Sequence, residues 1–131
     1  MRRSIVAILG LSALSGAALA QMAAPHFVSL DTTDMLSSNV VGVDVYDTAN
    51  NDIGTIKDVA FDASKAVKGY VLSVGGFLGM GSRYVVVDTD SVKVKYDMAD
   101  KKWHANMNAS KDQLKSAPEF KYEGQWNASR S

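Results

Sequence analysis

From Val40 onward, apolar and polar residues alternate with the two-residue period of half-buried strands. Val41, Val43 and Val45 alternate with Gly42, Asp44 and Tyr46, and the run meets the turn formers Asp47-Thr48-Ala49-Asn50-Asn51-Asp52, which predicts a hairpin. The returning strand, Ile53 to Asp62, carries apolar residues at Ile53, Ile56, Val59 and Phe61. Its alternation slips between Ile56 and Val59, so a bulge is expected near Gly54 or Lys57. After a turn at Ala63 to Lys68, Tyr70-Val71-Leu72-Ser73-Val74 is apolar on both faces, as a central strand would be. Arg83 to Val87, Val92 to Tyr96 and Trp103 to Met107 complete a set of six short strands. Regular spacing of this kind predicts a mainly all-β domain, a small barrel or a sandwich.

The pattern changes at Ser110-Lys111-Asp112-Gln113, which fits a capping box and predicts one short C-terminal helix. Leu114 and Ala117 would face the sheet and plug one barrel end, and Pro118 stops the helix. Phe120 and Tyr122 can lie against the same surface. Residues 123–131 are polar apart from Trp126 and are expected to be a disordered tail.

The N-terminus follows a different logic. Arg2 and Arg3 precede an apolar run from Ile5 to Leu14 and small residues ending in Ala18-Leu19-Ala20, which predicts a secretory signal peptide over residues 1–20 with cleavage after Ala20. The run is short and broken for a membrane span of about 20 residues, so the mature chain is expected to have no transmembrane segment. Residues 21–34, with Pro25 and no period, read as a flexible lead-in, which leaves one domain over residues 35–122. The chain has no cysteine, so neither a disulfide nor a lipid anchor on a thiol is available, and the expected compartment is the periplasm. Beyond residue 20 the chain holds 12 basic and 14 acidic residues. With its lysines scattered, that balance argues against nucleic acid as a partner.

Candidate chemistry concentrates in one place. Four glycines fall within Gly75, Gly76, Phe77, Leu78, Gly79, Met80 and Gly81, a backbone free to visit conformations closed to other residues and carrying three apolar side chains. A phosphate cradle would need a helix or a Gly-Lys-Ser/Thr ending, and Ser82-Arg83-Tyr84 opens a strand instead. The loop is therefore a candidate docking tip, or it folds over the barrel mouth and buries Phe77, Leu78 and Met80. His26 and His104 have no metal-ligand spacing around them and read as surface residues. Asp47, Asn50, Asn51 and Asp52 depart from a calcium loop and read as turn chemistry. Asp44 and Asp58 could pair as carboxylates, with Lys57 or Arg83 the expected ion-pair partner of either. No metal, cofactor or catalytic constellation is expected.

Tyr46-Asp47, Ile53-Gly54-Thr55-Ile56-Lys57-Asp58-Val59 and Val74 to Gly81 together resemble the PRC-barrel domain. Ser110 to Phe120, with its Ala117-Pro118-Glu119-Phe120 ending, is similar to the tail of exported single-domain proteobacterial members. The resemblance covers residues from about Met35 to Tyr122. It implies a compact SH3-like β-barrel used as an interaction module. The expected function is thus a periplasmic, non-enzymatic module that binds another macromolecule, with a protein as partner. The alternative is a small-ligand or envelope-stress binding protein using the glycine-loop end of the barrel.

Overall fold

The computed structural model describes residues 23–75 and 81–127. The stretch expected to be a signal peptide, residues 1–20, the interior of the glycine loop, residues 76–80, and the last residues of the expected tail, 128–131, lie outside them. The chain divides into two units, residues 1–34 and residues 35–131. In the first, the described residues form no helix or strand and make a turn in which Asp34 N–H donates to the Asp31 carbonyl at 2.9 Å.

The second unit is built on six strands: β1 (Asp44–Tyr46), β2 (Asp52–Phe61), β3 (Val67–Val74), β4 (Arg83–Asp88), β5 (Val92–Asp97) and β6 (Lys102–Met107). They form one sheet in the order β4-β3-β2-β1-β6-β5. All neighbours are antiparallel except β1 and β6, which run parallel with Val45 opposite Ala105. The sheet curls around a single core in which Val45, Ile53, Ile56, Leu72, Val74, Val85 and Ala105 are almost wholly removed from water. Val85 from one outer strand and Val92 from the other share that cluster, which is the small barrel that the strand spacing and the resemblance lead one to expect. No helix among the described residues is long and apolar enough to cross a membrane.

Bulges bend the sheet where the alternation slips. Ile56 faces Leu72 and Asp58 faces Val71, so Lys57 is the extra residue, and Ile56 and Val59 both turn toward the core. A second bulge lies at Ile53, since Val45 faces Gly54 while Tyr46 faces Asp52. A third lies at Lys68, where Ala60 faces Gly69 and Phe61 faces Val67. That last irregularity turns the end of β2 outward, so Phe61, expected to be an inward position, is 57% exposed.

The strand expected from Val40 starts later. Ser37–Val40 form a single helical turn, α1, whose entry is held by Asn39 Oδ1 accepting from Leu36 N–H at 3.2 Å. Only Val40 of that turn reaches the core. A 3-10 turn, Thr89–Ser91, joins β4 to β5 and is capped by the Asp88 carboxylate accepting from Ser91 N–H at 3.0 Å.

Helix α2 (Lys111–Ser116) begins as the sequence predicts. Ser110 Oγ accepts from Gln113 N–H at 3.0 Å, and Gln113 Oε1 accepts from Ser110 N–H at 2.8 Å. Leu114 is buried and Ala117 packs on the core cluster. The chain then leaves this surface, contrary to expectation. Phe120 N–H donates to the Tyr84 carbonyl at 2.7 Å, extending the β4 edge, so Phe120 and Tyr122 lie on the outer face of the sheet. Where the sequence suggests a disordered tail, Gly124–Trp126 make a second 3-10 turn with the Trp126 ring 5.7 Å from that of Phe120.

Candidate functional site

The glycine loop closes the β3–β4 hairpin, whose last pair is Val74 and Arg83. Of the seven candidate residues, Gly75 and Gly81 are described, and both have the left-handed φ, 71° and 74°, that a side chain makes costly. Gly76, Phe77, Leu78, Gly79 and Met80 fall outside the described residues, and the orientation of their side chains with them. Gly75 sits close to helix α2, with a Cβ built on it coming 3.7 Å from Lys115 Cε. The loop base is fastened by Arg83, whose guanidinium donates to the carbonyl oxygens of Lys115 and, at 2.6 Å, Ala117. These are backbone groups that a helix leaves unpaired at its C-terminus. Arg83 is thus not the ion-pair partner of Asp44 or Asp58 that the sequence suggests. Its planar fork reaches two carbonyls at once, and a helix C-terminus attracts a cation.

A second surface emerges on the outer face of β2, β3 and β4, and the sequence reading did not select it. The alternation that turns Leu72 and Val85 inward turns Val71 and Val86 outward, and these two face each other across the strand pair. Phe120, Tyr122 and Trp126 are laid beside them by the C-terminal segment. Tyr122 meets Tyr84 edge-on at 5.3 Å and Phe120 at 4.9 Å, the arrangement that ring quadrupoles favour. Its hydroxyl donates to Asp58 Oδ2 at 3.1 Å. Desolvation, and after it the negative charge and hydrogen bond of Asp58, push the Tyr122 hydroxyl well above the usual tyrosine range. Between this segment and the flared end of β2 opens a cleft of about 620 Å³ lined by Phe61, Lys68, Val86, Phe120, Tyr122 and Trp126. Phe61 and Trp126 are each 57% exposed and Val86 44%. The signal was present in Phe120, Tyr122 and Trp126, which fall at even spacing, but nothing local to the segment says which face of the sheet it crosses.

The carboxylates sort differently from the sequence reading. Asp44 and Asp58 do not pair. Asp44 Oδ1 accepts from Thr55 Oγ1 at 2.9 Å, and Asp58 accepts from Tyr122. Asp47 holds its own turn, accepting from the Ala49 and Asn51 amides. The Asn51 backbone hydrogen bond, opposed by desolvation and helped by the Asn51 side chain and the Ala49 amide, keeps the Asp47 carboxyl below its ordinary range.

His104 is the main departure. The sequence reading gave it no acidic neighbour, yet Nε2 lies 2.7 Å from Asp100 Oδ2 and 3.8 Å from Asp97 Oδ2. The β5–β6 hairpin explains this. Lys95 faces His104 and Asp97 faces Lys102, so Asp97 is the diagonal neighbour of His104 on one face. Asp100 reaches back from the turn, where Lys101 takes a φ of 60°. Counting partners outward from that turn would have found the cluster. Desolvation opposes ionisation of Asp100, but the His104 hydrogen bond and charge, with the Lys102 amide and charge, outweigh it and hold the carboxyl below its usual range.

In a comparison with protein families, the model of the PRC-barrel domain matches residues 33–104, from just before α1 into β6. No curated protein matches the chain.

Proposed function

Because this chain belongs to the PRC-barrel family, we propose that it serves as a non-enzymatic periplasmic module that binds another macromolecule, a protein, through the aromatic cleft on the outer face of its sheet. The observation that carries this reading is the convergence of Phe61, Val86 and Trp126, all substantially exposed, on one cleft. A folded domain gains about 1.5–3 kcal/mol by burying such a side chain, so leaving three together in water is a cost that a partner's surface removes. Rigid aromatic rings lose little freedom on contact and make effective anchors. Lys68 and Asp58 at the rim supply charges of both signs to orient what docks. The basic start and apolar run before Ala20 support the periplasm as compartment.

The glycine loop is the competing surface. It supports the second reading, a small ligand held at that end of the barrel, where a cleft of about 700 Å³ passes Gly42, Gly54, Gly75 and Tyr84.

Photo-crosslinking in cells decides between the surfaces. A photoreactive residue at position 61 should give a discrete protein adduct that is lost in Trp126→Ala, while the melting temperature of that variant stays close to wild type. Adducts from position 78 alone would move the site to the loop. No protein adduct from either position would sink the reading, and osmotic-shock fractionation that leaves the protein in the cytoplasm would remove the compartment.

A further inference from the structure

The β5–β6 hairpin carries a group of donors unrelated to the aromatic cleft. Asp97 Oδ1 accepts from Ala99 N–H at 2.8 Å, and Asp100 Oδ1 accepts from Lys102 N–H at 3.0 Å. Each carboxylate is thereby fixed by one oxygen, and the other oxygen of both faces the same imidazole nitrogen, His104 Nε2, at 3.8 and 2.7 Å. One donor atom from each side chain lies within 4.8 Å of the others. A tetrahedral ion about 2.0–2.2 Å from each donor holds donors roughly 3.3 Å apart, a value between the two distances to His104, and the carboxylate oxygens, within 4.8 Å of each other, reach it by closing up by at most about 1.5 Å.

The surroundings suit an ion as well. The three side chains are 41–45% exposed, so the site can be loaded from solvent. A cleft of about 730 Å³ runs beside them past Tyr46, Asn50 and Asn106, with room for a water or side-chain oxygen as fourth ligand. The Tyr96 and Trp103 rings, 5.3 Å apart on the same hairpin, brace the two strands that carry the donors.

We propose that Asp97, Asp100 and His104 bind one divalent transition-metal ion of the zinc class on this hairpin. The imidazole selects the class, because calcium takes about six to eight oxygen ligands and magnesium keeps most of its waters, whereas zinc accepts a nitrogen and two carboxylates in a four-coordinate site. The site goes beyond the protein-binding reading and stands or falls separately from it.

Calorimetric titration of tag-free protein with zinc chloride tests it. One ion per chain is expected, with affinity lowered at least about tenfold in His104→Ala, since even indirect supports of a metal site are worth about 10–100-fold. His26→Ala should bind as wild type. Asp97→Asn, which disturbs no contact shorter than 3.8 Å to His104, provides the same reading should His104→Ala not fold. The proposal is overturned by no binding up to millimolar zinc, by unchanged affinity in both variants, by loss in His26→Ala, or by calcium or magnesium binding as tightly as zinc.

Discussion

Arg83, the first residue of β4, donates to the carbonyl oxygen of Ala117 at 2.6 Å and so fastens the end of helix α2 to the strand that leaves the glycine loop. Its other terminal nitrogen holds the Lys115 carbonyl. One side chain thus unites the three parts of the barrel end: loop, strand and helix. Hydrogen bonds from charged groups are worth about 1.5–3 kcal/mol each, and a lysine cannot reproduce the fork. Arg83→Lys should therefore lower the urea midpoint by an amount equivalent to about 2 kcal/mol. A midpoint unchanged from wild type would show that α2 is held by packing alone.

Packing supplies the other half of that attachment. Leu114 is 3% exposed and belongs to the core cluster, so Leu114→Ala removes buried methyl groups and leaves a cavity, at a cost of about 2–5 kcal/mol. Denaturant unfolding measures it. A cost under about 1 kcal/mol would mean that the helix folds over without sealing the barrel.

Gly69 marks a close approach between β3 and β4. A Cβ there would come 2.1 Å from the Val87 carbonyl oxygen, a backbone atom that cannot rotate away. Gly69→Ala must spread the strand pair, at a cost of about 1–3 kcal/mol or more. Thermal melting measures it, and a melting temperature unchanged from wild type would show that β3 and β4 part without cost.

Tyr122 sets the alkaline limb of stability. Folding raises its pKa above the ordinary tyrosine value of about 10, so the folded state holds the proton more tightly than the unfolded one. The stabilisation is complete below about pH 10 and is lost as pH rises above that value toward the folded pKa. Tyr122→Phe should cost about 0.5–1.5 kcal/mol at neutral pH through the bond to Asp58, and should fall less steeply in stability above pH 10. Parallel alkaline limbs for the two proteins would contradict the linkage.

Much of this fold is legible in the chain because most of its signals are local. The Ser110 and Gln113 capping box, the Asp47 to Asp52 turn and the slip at Lys57 each involve residues a few positions apart, and each forms as its residue types dictate. What escapes the reading depends on distant partners. A strand of three residues, β1, carries too little pattern to reveal that it pairs parallel with β6. Phe61 reads as inward until the Lys68 bulge on the neighbouring strand is known. The aromatic cleft needs the C-terminal segment to cross to the outer face, which linear spacing does not state, and the His104 cluster emerges only once residues are paired outward from the hairpin turn.

The parallel pairing of Val45 with Ala105 also bears on the order of events as the chain is made. Synthesis delivers β1 early and its partner near the end, and no nearer strand occupies that flank of β1. One side of the first strand therefore stays unsatisfied until Met107 has emerged, and the entropy of closing so long a loop must be met in a single late step. A nascent chain stopped before β6 carries five of the six strands, of which β1 to β4 can pair with one another while β5 lacks its sheet partner. Arrival of β6, the strand that lies between β1 and β5, is what joins the two parts of the sheet.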